Sequence, residues 1–410
     1  MRTRPKMLGV TGIMVLLATA LLAGPADAAA SVPPTHKAYP AGGTNSLGPG
    51  ISEGNTNAQL AERLPATIVP SWTVTPPICP SSGGANPSSI AVAGNQTVVL
   101  ERQYQCSSVS TYDTATGKLI WRKNYHFATS APVINGLVYV SRDNSNDGSW
   151  AVDALELSSG SVRWSKPIIS DRIDSVGSGV LVADTQMLDL RTGSATPRLQ
   201  IPAGTSGGKS LVAGGRVYRN SSTQVSAWSV ATGERLWTYA KVGSSAGGDA
   251  LPALHDGRLY VRSDSEHSTV KVFDPTTGKV MRQLPVSTAP LAFDGDFAFF
   301  TKARQNAQTF VTAVNVKTGV VAWSRGLPTR GGAWVPWSGT GPIVANGLVW
   351  MMHAPDTGTP AHLTAFDERT GATSTSTTLS CEPGTEGALT IAQQRLFASS
   401  NCGTVTFVAR

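Results

Sequence analysis

The chain has 410 residues, of which 14% are charged and 40% apolar, and it contains 42 glycines. That mix allows a sizeable core and suits short strands and tight turns better than long helices. The formal charge of +7 comes without the Lys/Arg blocks of a nucleic-acid binder, so nucleic acid is not an expected partner.

In chain order, Arg2, Arg4 and Lys6 precede an uncharged apolar run from Leu8 to Gly24. Ala26-Asp27-Ala28 then puts small residues at the two positions a signal peptidase reads. Residues 1–28 are therefore expected to be a signal peptide. The mature chain is expected to begin near Ala29, to be secreted to the cell envelope or beyond, and to hold no integral membrane segment. Cleavage removes three basic groups and one acidic group, which takes the charge from +7 to +5. Residues 29–68, rich in Gly, Pro, Ser, Thr and Asn, read as a flexible leader.

From residue 69 to 410 the chain repeats. Residues 111–121 read TYDTATGKLIW, 154–164 ALELSSGSVRW, 227–237 AWSVATGERLW and 313–323 AVNVKTGVVAW. Weaker copies lie at Asp189–Gly193, Asp274–Gly278 and Asp367–Gly371. Upstream of these turns stand hairpin signals, APVINGLVYV (131–140), LPALHDGRLYV (251–261), APLAFDGDFAF (289–299) and GPIVANGLVW (341–350). Looser hairpins at 90–100, 176–183, 211–219 and 388–398 bring the number to eight. The unit is strand A, Asn-Gly turn, strand B, variable loop, strand C, Thr-Gly turn, and strand D with its Trp. The last unit stops after its third strand, Thr404–Val408, while Val69–Thr75 is an orphan strand with Trp72 in the matching place. The expected fold is all-β: an eight-bladed β-propeller closed by the N-terminal strand.

The Ala-x-Asp-x-x-Thr-Gly-x-x-x-Trp unit resembles the tryptophan-docking repeat of the pyrroloquinoline-quinone-type, quinoprotein alcohol dehydrogenase-like propellers. It is also similar to the repeats of the propeller lipoprotein that helps assemble bacterial outer-membrane proteins. The resemblance implies the fold. Quinoprotein dehydrogenases commonly carry a disulfide between adjacent cysteines over the cofactor, and Glu, Asn and Asp ligands for Ca²⁺. This chain has no adjacent Cys pair and none of those ligands maps onto it, so no cofactor is assigned. The expected function is a non-catalytic ligand-binding or scaffold module. The alternatives are a quinone-dependent oxidoreductase of alcohols or sugars and a cell-wall carbohydrate-binding protein.

Four cysteines in an exported chain suggest two disulfides. The repeat register places Cys79 and Cys381 alike after a D strand, and Cys106 and Cys402 alike before a C strand. The expected bridges are Cys79–Cys106 and Cys381–Cys402. Trp72, Trp121, Trp164, Trp237 and Trp323 read as wedges between blades. Gly204-Thr-Ser206-Gly-Gly208 reads as a plain loop, because a nucleophile elbow needs a strand before it and a helix after it. Asp143–Gly148 reads as a hairpin tip, since a calcium loop would need Glu where Ala154 stands.

A basic residue ends strand B in six units: Arg102, Arg142, Arg219, Arg262, Lys302 and His353. The B–C and D–A loops share one face of a propeller, and the D–A loop at 329–341 adds Arg330, Trp334 and Trp337. The expected site lies on that face, with Arg102, Arg142, Arg219, Arg262 and Arg330 as forked donors and Trp334 and Trp337 as stacking surfaces. The partner expected there is a protein, a glycan or a small anionic ligand with a flat surface.

Overall fold

The computed structural model describes residues 68–74, 86–102, 106–144, 148–196, 208–241, 251–262, 269–285, 292–303, 309–327, 341–353, 360–379, 389–400 and 403–409. These form eight separate antiparallel sheets, each a blade. Blade one (86–125) shows the pattern: Asn86–Ala93, Gln96–Arg102, Ser107–Asp113 and Leu119–Tyr125 hydrogen-bond in that order. Blades two to seven follow at 128–168, 175–196, 209–240, 253–284, 292–326 and 343–378. Blade eight joins Leu389–Ala392, Arg395–Ser400 and Gly403–Ala409 to Ile68–Val74, with Trp72 opposite Thr406. The N-terminal strand therefore closes the ring, as its orphan Trp implies.

The apolar alternation of these strands builds eight buried clusters, and each cluster is one seam between neighbouring blades. Ala91, Leu100 and Val109 meet Val133 and Val138 between blades one and two. Ile90 and Val92 meet Ala392, Phe397 and Trp72 across the closure. The core is a ring of seams rather than a centre, so each blade is stable only between its neighbours.

The repeated turns explain how the seams lock. Asp113 Oδ1 accepts the Thr116 N–H at 2.9 Å and its hydroxyl at 2.7 Å. Asp189, Asn315 and Asp367 hold Thr192, Thr318 and Thr370 in the same way. The following glycine takes a positive φ, and where it faces a Trp it has no room for a side chain: at Gly278 (φ +70°) a Cβ would stand 2.5 Å from the Trp237 ring. Strand D then bulges by one residue, for instance at Leu236 between Arg235 and Trp237, which twists the strand and turns the Trp toward the next blade. Each wedge donates its indole N–H across the seam: Trp72 to Thr114 O, Trp121 to Leu157 O, Trp164 to Leu190 O, Trp237 to Pro275 O and Trp323 to Glu368 O. In blade five Arg282 occupies the slot and its Nη1 reaches Val316 O at 3.2 Å. Blade seven has Thr375 there. Its neighbour, blade eight, has no C–D turn to receive a Trp, because its strands C and D lie at opposite ends of the chain.

Blade three departs from the pattern. Among the described residues blade three has three strands, Ser175–Gly177, Val180–Ala183 and Gln186–Asp189, and one further bridge between Leu188 and Ala195, while residues 197–207 lie outside the described residues. Pro197 stands in the Trp slot of this unit, and proline removes a ladder donor.

Candidate functional site

The B–C and D–A loops leave the sheets at the end opposite the Thr-Gly turns. Strand B presents its terminal basic residue there because strand alternation puts that side chain on the seam side. Arg219 is only 1% exposed. Its guanidinium donates to Asp184 Oδ1 at 2.6 Å, Asp184 O at 2.7 Å and Ser210 Oγ at 3.0 Å, tying blade four to blade three. Asp174 Oδ2 lies 3.9 Å away. Burial pushes the Asp174 carboxyl up to about 6, against the pull of Lys209, Arg172 and Arg219. Arg142 donates to Asp153 Oδ2 at 2.9 Å and Asp143 O at 3.2 Å, and also meets Asn144. Arg262 is half-buried and its Nε has no hydrogen-bond partner. His353 is 2% exposed and shares a 2.9 Å hydrogen bond with Thr364. Burial lowers its pKa to about 4, so it is neutral at physiological pH. The Lys302 side chain, Arg330, Trp334 and Trp337 lie outside the described residues, as does residue 206 of the loop that resembles a nucleophile elbow.

Arg102 is placed differently. Its guanidinium carbon sits 4.9 Å from the centre of the Phe127 ring. Phe127 meets Trp150 edge-on at 5.9 Å. The three residues come from strand B of blade one, the D–A connection and strand C of blade two, and all are half-buried. Asp143 fixes the connection, accepting the Phe127 N–H at 3.1 Å and lying 2.5 Å from His126 Nδ1. Asn144 N–H bonds Ser149 O at 2.9 Å, continuing the ladder between strands B and C, while residues 145–147 lie outside the described residues. Cys106, which opens strand C of blade one, is disulfide-bonded. Cys79, Cys381 and Cys402 lie outside the described residues.

Phe127 and Trp150 are missed when the sequence is scanned by repeat slot, because neither occupies one. A recurring polar rung between strands C and D is missed as well: Ser110 with Arg122, Asp153 with Ser165, Ser226 with Thr238, Thr312 with Ser324 and Thr364 with Ser376. Its signal is a polar residue three places before the turn Asp or Asn. In blade one the rung extends to a buried acid: Ser108 donates to Glu101, and Arg122 Nη2 lies 3.7 Å from Glu101 and 3.0 Å from Tyr112 OH. Burial raises the Glu101 pKa.

Among the described residues no three His, Cys, Asp or Glu side chains converge to hold a metal. No helix among them is long and apolar enough to cross a membrane.

Comparison with known proteins agrees with the repeat. No curated protein sequence is a significant match. BamB from Moraxella catarrhalis is 16% identical, with a TM-score of 0.57 over 84% of this chain and 98% of that one. The quinohemoprotein alcohol dehydrogenase from Comamonas testosteroni is 12% identical, with a TM-score of 0.63 over 89% and 80% of the two chains. A europium-containing methanol dehydrogenase is 11% identical, with a TM-score of 0.61 over 88% and 90%. At such identities these structures share the propeller fold. The family model described as outer membrane protein assembly factor BamB matches residues 105–377 and 266–408. Because those matches run through most of the repeats, the chain belongs to that family.

Proposed function

We propose that this chain is an exported, non-catalytic propeller of the cell envelope that binds a partner protein on its loop face. The observation that carries this reading is a cationic and aromatic cluster on the loop face, Arg102 against Phe127 and Phe127 against Trp150. Arg142 and Arg219 are held by carboxylates of the fold and His353 is neutral. Arg102, Phe127 and Trp150 are half-buried and together form a cationic and aromatic patch. Such a patch suits a side chain or chain end with a carboxylate beside an apolar group. Arg142, Arg219 and Arg262 frame this face, and the proposal includes Arg330, Trp334 and Trp337 of the 329–341 loop, which lie outside the described residues. The description of the family as an assembly factor favours a protein over a glycan or a free anion.

Residues 1–28 are the signal peptide in this reading, residues 29–68 a flexible leader and 69–410 the propeller. The bridges are Cys79–Cys106 and Cys381–Cys402, which would stiffen the loop face beside the ring closure. Mass spectrometry of the exported chain should find a start near Ala29, and peptide mapping should find those two pairs. A photo-crosslinker at Trp150 should capture an envelope protein that one at Val320, on the turn side of the rim, does not. Equal capture at both positions rejects the loop-face site.

A second reading, a quinone-dependent oxidoreductase, is favoured by the fold shared with the quinohemoprotein alcohol dehydrogenase. Adding pyrroloquinoline quinone with Ca²⁺ should then shift the quinone absorbance and support dye reduction by alcohols or aldoses.

A further inference from the structure

The residue just after the turn Asp, Asn, Glu or Ser is a joint. Its N–H donates to the A–B turn of its own blade, as Leu157 does to Gly136 O, Leu190 to Gly179 O and Glu368 to Gly347 O. Its carbonyl accepts the wedge of the preceding blade. Its side chain enters the seam. Leu157 packs there with Ala93, Leu190 with Ile134, and Val230 and Val316 join the apolar clusters of their seams.

The seam between blades six and seven departs from this pattern on both sides. Its joint is Glu368, 5% exposed, and the A–B slot of blade six is Asp294, 6% exposed. The corresponding slots elsewhere include Ala93, Ile134, Ala213 and Ala345. The two departures face each other across the seam, as Ala93 and Leu157 or Ile134 and Leu190 do at other seams, and the buried Glu368 carboxyl comes within reach of Asp294. Glu368 Oε2 is buried, and among the described residues no N–H reaches it. Nearby charges do not resolve this. Arg369 Nε is 3.8 Å from Oε1, beyond a hydrogen bond. Asp367 adds negative charge and is engaged by Thr370. Asp296 is paired with Lys317 at 2.7 Å, and His255 Nε2 donates to Gly295 O at 2.8 Å. Two ionised carboxylates have no proton with which to bond, so the contact requires one.

We infer that Glu368 keeps its proton and donates it to Asp294, and that this contact is a latch between blades six and seven that fails in alkaline solution. Burial first, then the bond to Asp294 and its charge, hold the Glu368 carboxyl well above the ordinary carboxylate range. The raised folded value fixes the sign: the contribution is complete below the ordinary carboxyl pKa and is lost as pH rises through the folded one. Losing the proton leaves two buried like charges beside the carbonyl that receives Trp323, so the wedge loosens with the latch.

The test is thermal unfolding of the full chain and of Glu368→Gln between pH 5 and pH 9. The amide of the variant donates to Asp294 at every pH. Across the titration the wild-type unfolding constant should rise relative to the variant by up to about tenfold per pH unit, the slope for one proton. Asp294→Asn should flatten the profile in the same way. Infrared spectra of wild-type chain, with glutamate and aspartate carboxyls isotope-labelled in turn, should show a protonated-carboxyl band at pH 7 that moves with a label and disappears in alkali. Parallel wild-type and variant profiles, or no such band, overturn the proposal. The band decides alone if the variants do not fold.

Discussion

The two faces of the propeller are built by opposite rules. On the turn face one local solution is repeated: an acceptor at the turn start, a glycine with positive φ, and a wedge donating to the next blade's joint. On the loop face neighbouring blades solve the same problem differently. Arg142 is held within its blade, Arg219 crosses a seam, and Arg102 lies on a ring. A face made by repetition tells how the chain stays folded, and a face made of exceptions is free to recognise something.

The largest test of this contrast is removal of residues 68–74. It takes away strand D of blade eight and the Trp72 wedge, leaving a seam and a sheet edge open. Cooperative thermal unfolding should be lost or shifted to far lower temperature. A normal transition would mean that the ring does not depend on closure.

Single turn-face substitutions come next. Trp323→Ala should cost about 3–5 kcal/mol in chemical denaturation, and Gly278→Ala roughly 2–5 kcal/mol from left-handed strain and overlap with Trp237. Thr375→Ala, in the slot that has no docking turn, should change stability by less than about 0.5 kcal/mol. Similar losses at all three positions would undo the docking argument.

On the loop face Arg219→Ala is the exception that sharpens the contrast. It strands Asp184 and the buried Asp174, and should cost about 3–5 kcal/mol. Arg102→Ala and Trp150→Ala should each cost roughly 1 kcal/mol or less while reducing capture of the partner. A large stability loss at those two positions would make the patch structural.

The smallest effect is on the turn carboxylates. Hydrogen bonds from Thr116, Thr192 and Thr277 hold Asp113, Asp189 and Asp274 below the usual carboxylate range. Their stabilisation is present above the ordinary carboxyl pKa and is lost as pH falls through the lowered folded values. Asp189→Asn should flatten a shallow fall in melting temperature below about pH 4. A fall of unchanged depth would assign it to other groups.

What could be read in the sequence follows the same division. The turn, the wedge and the strand order are local and periodic, so the repeat announces them. Even Thr375 follows from the break in the chain at blade eight. In blade three the Asp189–Gly193 turn is intact while Pro197 takes the Trp slot, so the repeat gives the turn there without a wedge. The arginines were visible as residue types, but their partners depend on seams that join distant segments. Asp184 and Arg219 lie in different blades, and no spacing rule links them. Phe127 and Trp150 were invisible for the same reason. The Asp294–Glu368 pair could be suspected as two misfits in apolar slots, but only the ring sets one against the other.

The closure also has a mechanical meaning. Ile68 is paired with Ala409, so the two ends of the ring leave from neighbouring positions of one antiparallel ladder. Tension applied between them opens that ladder one rung at a time, like a zip, rather than shearing all rungs together. Single-molecule pulling from these ends should therefore record a first extension at low force, the length of one peeled strand, before the blades yield.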